Sequence, residues 1–199
     1  MKKILYVTII LLYSISYSQQ LGEYFSNVDK NNKESLNFGI KKPIDFTQKN
    51  STKKDGVILW EDENTKVEVF LTKIKKNNFK KLKKSEWTDL LKNNKHNFKF
   101  IKKSIYKKSD ITYQTIDNFP SNLFSYSTEK TNNTILIVVV EGYYFRVNIS
   151  SSYNSSNFND FVKNLIGSIL FYDQYSDGKR EVVGKWKIVK ETEGGSKKE

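Results

Sequence analysis

The chain of 199 residues contains no cysteine and a single histidine, His96. Without cysteine there can be no disulfide, no thiol nucleophile, no iron–sulfur cluster and no cysteine-based zinc site. A Ser-His-carboxylate triad would have to use His96, which stands among lysines with no visible acid partner. No glycine-rich loop of the P-loop or dinucleotide-binding kind occurs, so nothing in the sequence points to nucleotide chemistry. Arginine is confined to Arg146 and Arg180 beside 32 lysines. That scarcity argues against nucleic acid, because bidentate phosphate and guanine contacts favour arginine. Proline is also rare, with two residues, while 37% of the chain is hydrophobic and 14% aromatic. This is the composition of a folded chain long enough to bury a real core.

Lys2 and Lys3 precede an apolar run from Ile4 to Tyr13 that is too short to span a bilayer comfortably. Ser16 and Ser18 then occupy the minus-three and minus-one positions of a small-x-small cleavage site. Residues 1–18 are therefore read as a secretory signal peptide, cut before Gln19, and the mature protein as periplasmic or extracellular. No later stretch has the length of a membrane span, and the most apolar run, Ile135 to Val140, has the size of a strand. Lys, Asn, Ile and Tyr make up 82 of the 199 residues. All four have AT-rich codons, and the Gln after the cleavage site resembles exported proteins of the Bacteroidota.

Net charge is +12, and it is concentrated. Between Lys73 and Lys108 stand 14 lysines against Glu86 and Asp89. Such a run is ordinarily a wet surface, but it can also hold an anionic lipid or polysaccharide by releasing counterions. The candidate anion-binding residues are Lys80, Lys81, Lys83 and Lys84, interleaved with Phe79, Leu82 and Trp87 as on a membrane-surface segment.

Along the chain, residues 19–34 read as an extended lead-in. Leu36, Phe38 and Ile40 alternate as one face of a strand that Pro43 ends. Gln48 to Gly56 reads as a loop. Val57 to Trp60 and Val67 to Leu71 form a hairpin around the acidic turn Glu61-Asp62-Glu63-Asn64-Thr65. This turn lacks the ligand spacing and glycine of a calcium loop and reads as solvated. Ser85 is the expected cap of a helix carrying Trp87, Leu90 and Leu91, ended by Asn93 and Asn94. Ile111, Tyr113 and Thr115 alternate as a strand, Asn118 and Pro120 form a turn, and Leu123 to Ser127 is a short strand. Thr134 to Val140 and Tyr143 to Ser150 make an antiparallel hairpin across Glu141-Gly142, its first arm apolar enough for a sheet covered on both faces. After a cap at Ser155, Ser156 or Asn157, steps of three and four place Phe158, Phe161, Val162, Leu165, Ile166 and Ile169 on one side of an amphipathic helix.

The order of these elements resembles the PsbP-like superfamily, which includes the photosystem II extrinsic protein and the bacterial DcrB-like proteins. The likeness rests on Phe38-Gly39-Ile40-Lys41-Lys42-Pro43, on Tyr144-Phe145-Arg146-Val147, and on Phe161 through Ser168-Ile169-Leu170-Phe171. It implies an α+β domain over residues 35–175, an antiparallel sheet flanked by helices, and a binding or assembly role without catalytic, metal or cofactor residues. Residues 176–199 then form a linker and tail. In the tail, Gly184-Lys185-Trp186-Lys187-Ile188-Val189 resembles the opening strand of lipocalin-like domains; the alternative is an edge strand from Val182 to Val189. The expected function is a non-catalytic binding module of the cell envelope, whose partner is an envelope protein or an anionic surface. Tyr143, Tyr144 and Tyr153, with Phe158, are the candidates for an exposed partner-binding patch.

Overall fold

The structure is a computed structural model that describes residues 20–27, 36–74, 83–93, 101–140, 142–152, 157–172 and 182–183. The signal segment, His96, Lys80, Lys81, Tyr153 and the Gly184–Val189 stretch lie outside the described residues. In chain order the strands are β1 (Leu21–Asn27), β2 (Asn37–Pro43), β3 (Thr47–Lys49), β4 (Gly56–Glu61) and β5 (Thr65–Lys73). Helices α1 (Lys84–Lys92) and α2 (Lys103–Tyr106) follow. Next come β6 (Asp110–Ile116), β7 (Phe119–Ser127), β8 (Thr131–Val140), β9 (Tyr143–Ser152), α3 (Phe158–Gly167), β10 (Leu170–Tyr172) and β11 (Val182–Val183).

The apolar hairpin forms the centre. Val140 pairs with Tyr143, so β8 and β9 are joined by two residues, and Gly142 takes the positive φ of 88° that such a turn requires. Because successive side chains of a strand point to opposite faces, β8 serves two cores at once. Leu136, Val138 and Val140 enter one and Ile135, Ile137 and Val139 the other. The expectation of a strand covered on both sides is met.

Around this hairpin the strands make a seven-stranded antiparallel sheet in the order β3-β4-β5-β9-β8-β7-β6. On one face, α3 lays Phe158, Phe161, Val162, Leu165 and Ile166 into the larger core. Beside α3 lies a second, four-stranded sheet, β1-β2-β10-β11. Ser168 ties the two together: its hydroxyl donates to the Leu165 carbonyl at 2.7 Å and accepts the Lys41 N–H at 3.0 Å. The other face carries Trp87 and Leu91 of α1, with Ile101, Phe124 and Tyr144.

The chain is thus mostly antiparallel sheet with few, short helices, and part of what covers the large sheet is a second sheet. Several expectations need correction. The lead-in contains β1, whose pairing with β2 is broken by a register shift between Leu21 and Tyr24. The loop after Gln48 begins inside β3, which pairs with β4. The cap of α1 is Lys83 instead of Ser85, because the Glu86 carboxylate accepts the Lys83 N–H at 2.5 Å. The turn after Ile116 is Asp117-Asn118, both at positive φ (47° and 64°), while Pro120 lies in β7 opposite Thr115. The β7–β8 ladder begins at Ser121, one residue past Pro120, which has no N–H to offer β8.

Candidate binding surface

The aromatic candidates separate on folding. Tyr144 is 2% exposed, with its ring edge-on to Trp87 at 5.9 Å, and burial pushes its phenol well above the usual tyrosine range. Tyr143, on the opposite face of β9, is half-buried against the larger core, and Phe158 belongs to that core. The expected exposed patch of Tyr143, Tyr144 and Phe158 is therefore not formed: strand alternation sends adjacent tyrosines to opposite faces, and both faces are covered. Of the lysines, Lys83 is exposed at the cap of α1, and Lys84 opens the helix.

Several of the described carboxylates are used locally. Asp62 accepts the N–H groups of Asn64 and Thr65 and so builds the acidic turn, while Glu61 pairs with Lys49, which draws its carboxyl below the usual range. Buried Glu68 is held by Lys53 at 2.8 Å and Lys66 at 3.7 Å. The Arg146 guanidinium lies 4.1 Å from the centre of the Phe70 ring. Burial lowers its pKa, and the nearby carboxylates of Glu68 and Asp55 oppose that shift. Asp117 accepts the Phe171 N–H at 3.0 Å, joining the two sheets.

A different surface remains open. Ser104, Ile105, Lys108, Tyr126, Ser127, Thr128, Glu129 and Lys130 line a groove of about 480 Å³ between α2 and the β7–β8 turn. Hydrogen bonds brace its two walls. The Ser109 hydroxyl donates to the Ile105 carbonyl at 2.9 Å, and the Thr128 hydroxyl accepts the Thr131 N–H at 2.9 Å. Tyr126 is half-buried in the groove, and burial raises its phenol pKa. Beside the groove runs β6, the outermost strand of the large sheet. Lys92, at the end of α1, reaches over the Tyr113 ring of β6 at 5.4 Å. The helix is anchored there by Asn122, whose side-chain amide donates to the Leu91 carbonyl at 2.8 Å. A second groove, of about 430 Å³, lies beside β1, where Tyr24 and Ile44 are 43% and 51% exposed.

Sequence reading missed the Lys108–Tyr126–Lys130 groove. Its two lysines flank the stretch from Ser109 to Glu129, which has no lysine or arginine and so separates them in sequence.

No protein-family model matches the chain, and no curated protein matches its sequence. Among solved structures, the solution structure of cyanobacterial PsbP (CyanoP) from Synechocystis sp. PCC 6803 is similar, with a TM-score of 0.52 at 9% identity. The match covers 78% of this chain and 96% of that one. The fold is PsbP-like. A crystal structure from Bacteroides thetaiotaomicron aligns with a TM-score of 0.48 and 10% identity, over 80% of this chain and 50% of that one. The three PsbP-like segments named from the sequence meet in the larger core. The Phe38 and Phe145 rings are 4.9 Å apart, and the Phe145 and Phe171 rings 5.2 Å. Such edge contacts between aromatic rings pack β2 and β10 of the second sheet against β9 of the large sheet, and they explain why a likeness without catalytic residues can still report a fold. Among the described residues no helix is long and apolar enough to cross a membrane.

Proposed function

We propose that this protein is exported, is not an enzyme, and acts as a binding or assembly module of the cell envelope. The observation that carries this reading is the open groove of Lys108, Tyr126 and Lys130 beside the outermost strand β6. It combines a half-buried aromatic ring, positive charge and a sheet edge, the elements of a contact surface. The reading without catalysis is supported by Asp62, Glu68, Glu86 and Asp117, four carboxylates that are engaged in a turn, an ion pair, a helix cap and a contact between the sheets. Export is supported by the basic start, short apolar run and small-residue exit of residues 1–18.

A second reading, electrostatic attachment to an anionic lipid or polysaccharide, is favoured by the exposed lysines Lys83, Lys102, Lys103, Lys107 and Lys108. One preparation tests both. The chain, expressed with its own N-terminus in a Gram-negative host, is fractionated, its N-terminus sequenced, and its retention on anionic vesicles measured across a salt series. A mature N-terminus at Gln19 in the periplasm or medium, with no vesicle retention at physiological salt, is the expected result. An uncut cytoplasmic product would overturn export. Retention lost in a Gln variant at Lys102, Lys103, Lys107 and Lys108 would put the second reading first.

A further inference from the structure

Edge strands carry unpaired backbone groups, and natural sheets blunt them with lysine, proline, bulges or short length. The other described edges follow that rule. β3 has three residues and ends in Lys49, β11 has two residues, and β1 is interrupted by its register shift. β6 does not. It runs for seven residues as Asp-Ile-Thr-Tyr-Gln-Thr-Ile, without proline, lysine or shift of register against β7. It also lies in the 21-residue stretch that lacks basic residues.

Which of its groups face outward follows from the turn. In a two-residue hairpin the flanking residues exchange both hydrogen bonds, and bonded and non-bonded pairs then alternate. Ile116 pairs with Phe119 across Asp117-Asn118, so Ile116, Gln114, Thr112 and Asp110 direct their backbone groups to β7. Ile111, Tyr113 and Thr115 direct theirs away from the sheet, and among the described residues none pairs with them. The side-chain amide nitrogen of Gln114 is likewise buried without a hydrogen-bond partner among the described residues.

We infer that β6 receives an extended acidic segment of a partner protein, which adds an eighth strand to the large sheet; this rests on the binding-module reading above. Main-chain bonds to Ile111, Tyr113 and Thr115 supply the pairing. Charge selects the partner. On the face shared by Ile111 and Tyr113 stand Lys92, over the Tyr113 ring, and Lys108 and Lys130 at the groove, whose described lining residues include one acid, Glu129. On the opposite face Asp110 disfavours further negative charge, and Thr112 and Gln114 are neutral. The fitting strand therefore alternates, with carboxylates toward the lysines and uncharged side chains on the other side. A second copy fits poorly, since antiparallel pairing about Tyr113 would bring the two Lys92 ammonium groups together over the paired rings.

Three fluorescent decapeptides test this: alternating Glu-Val, the same peptide with a central proline, and alternating Lys-Val. Binding of each to the purified protein is read by anisotropy. A parallel set uses Thr115→Pro, which removes an outward N–H and no internal bond, after its melting curve has been matched to wild type. The Glu-Val peptide is expected to bind, at least tenfold more weakly when either peptide or protein carries the proline, and the Lys-Val peptide not to bind. Equal binding of the proline peptide would reduce the attraction to charge and overturn strand addition. Equal binding of Lys-Val would overturn the acidic preference. A wild-type dimer in sedimentation that becomes monomeric in Thr115→Pro would assign the edge to a second copy and overturn the partner strand. Failure of every peptide overturns this inference alone, because the wider binding reading is tested separately by contacts made in the envelope.

Discussion

The second sheet depends on a close approach that a single methyl group would disturb. Gly39 in β2 lies under the Tyr172 ring of the neighbouring strand β10. A Cβ added at Gly39 would fall onto the Tyr172 phenol oxygen, with ring carbons Cζ and Cε2 at 3.0 and 3.1 Å. Overpacking of this kind costs about 1–3 kcal/mol. Against it, replacing glycine by alanine in a strand regains roughly 0.5–1 kcal/mol of backbone entropy. Gly39→Ala should therefore destabilise the protein by about 1–2 kcal/mol, a fall in melting temperature of roughly 2–8 °C for a domain of this size. Removing the phenol oxygen with Tyr172→Phe leaves only the two ring carbons, which a shift of a few tenths of an ångström accommodates. In that background the cost of Gly39→Ala should fall to near zero, giving a coupling of about 1–2 kcal/mol in a double-mutant cycle. Urea denaturation followed by tryptophan fluorescence measures all four proteins. Additive costs, with coupling below about 0.3 kcal/mol, would show that Tyr172 does not cover Gly39 and would refute the β2–β10 pairing.

Other consequences follow from the same contacts. Phe145, fully buried between Phe38 and Phe171, should cost about 3–5 kcal/mol on replacement by alanine, measurable as a lowered denaturation midpoint. The Tyr144 phenol is held above its unfolded value by burial, so the neutral group's contribution is fully present below a pH of about 10. It is lost as pH rises toward the folded value, because the unfolded chain ionises first. Stability should fall above that pH, and the fall should be smaller in Tyr144→Phe when unfolding is followed across an alkaline series. Asp117→Ala removes both a residue that tolerates positive φ and the acceptor for the Phe171 N–H, and should cost about 1–3 kcal/mol. Asn118→Gly, at a positive φ of 64°, should leave the melting temperature unchanged or raise it.

The parts of the fold legible in the sequence are those where one periodicity acts alone. The run Ile135 to Val140 and the steps of three and four from Phe158 to Ile166 each place side chains without help from distant residues. What escaped depends on partners far along the chain. β1 carries a weak alternation and becomes a strand only because β2 lies beside it, while the exposed Thr47–Lys49 is a strand only through β4. Pro120 reads as a turn because proline usually is one, yet at the point where the β7–β8 ladder starts its missing N–H is harmless. Tyr144 was misplaced because an exposed and a buried tyrosine look alike until the helix that covers one of them, here α1 with Trp87, is in position. The groove escaped for a related reason, since its lysines, Lys108 and Lys130, come from the two ends of the stretch that has none.

Contact in the envelope is the most direct measurement of the binding role. A photo-crosslinking amino acid is placed at Thr115 on the β6 edge, at Tyr126 in the groove, and at exposed Thr52, in the loop that joins β3 and β4 at the opposite end of the strand order. After export and illumination, a discrete adduct with an envelope protein is expected from positions 115 and 126 and not from position 52. No adduct from either β6-side position, or equal adducts from all three, would contradict a binding module that works through this surface.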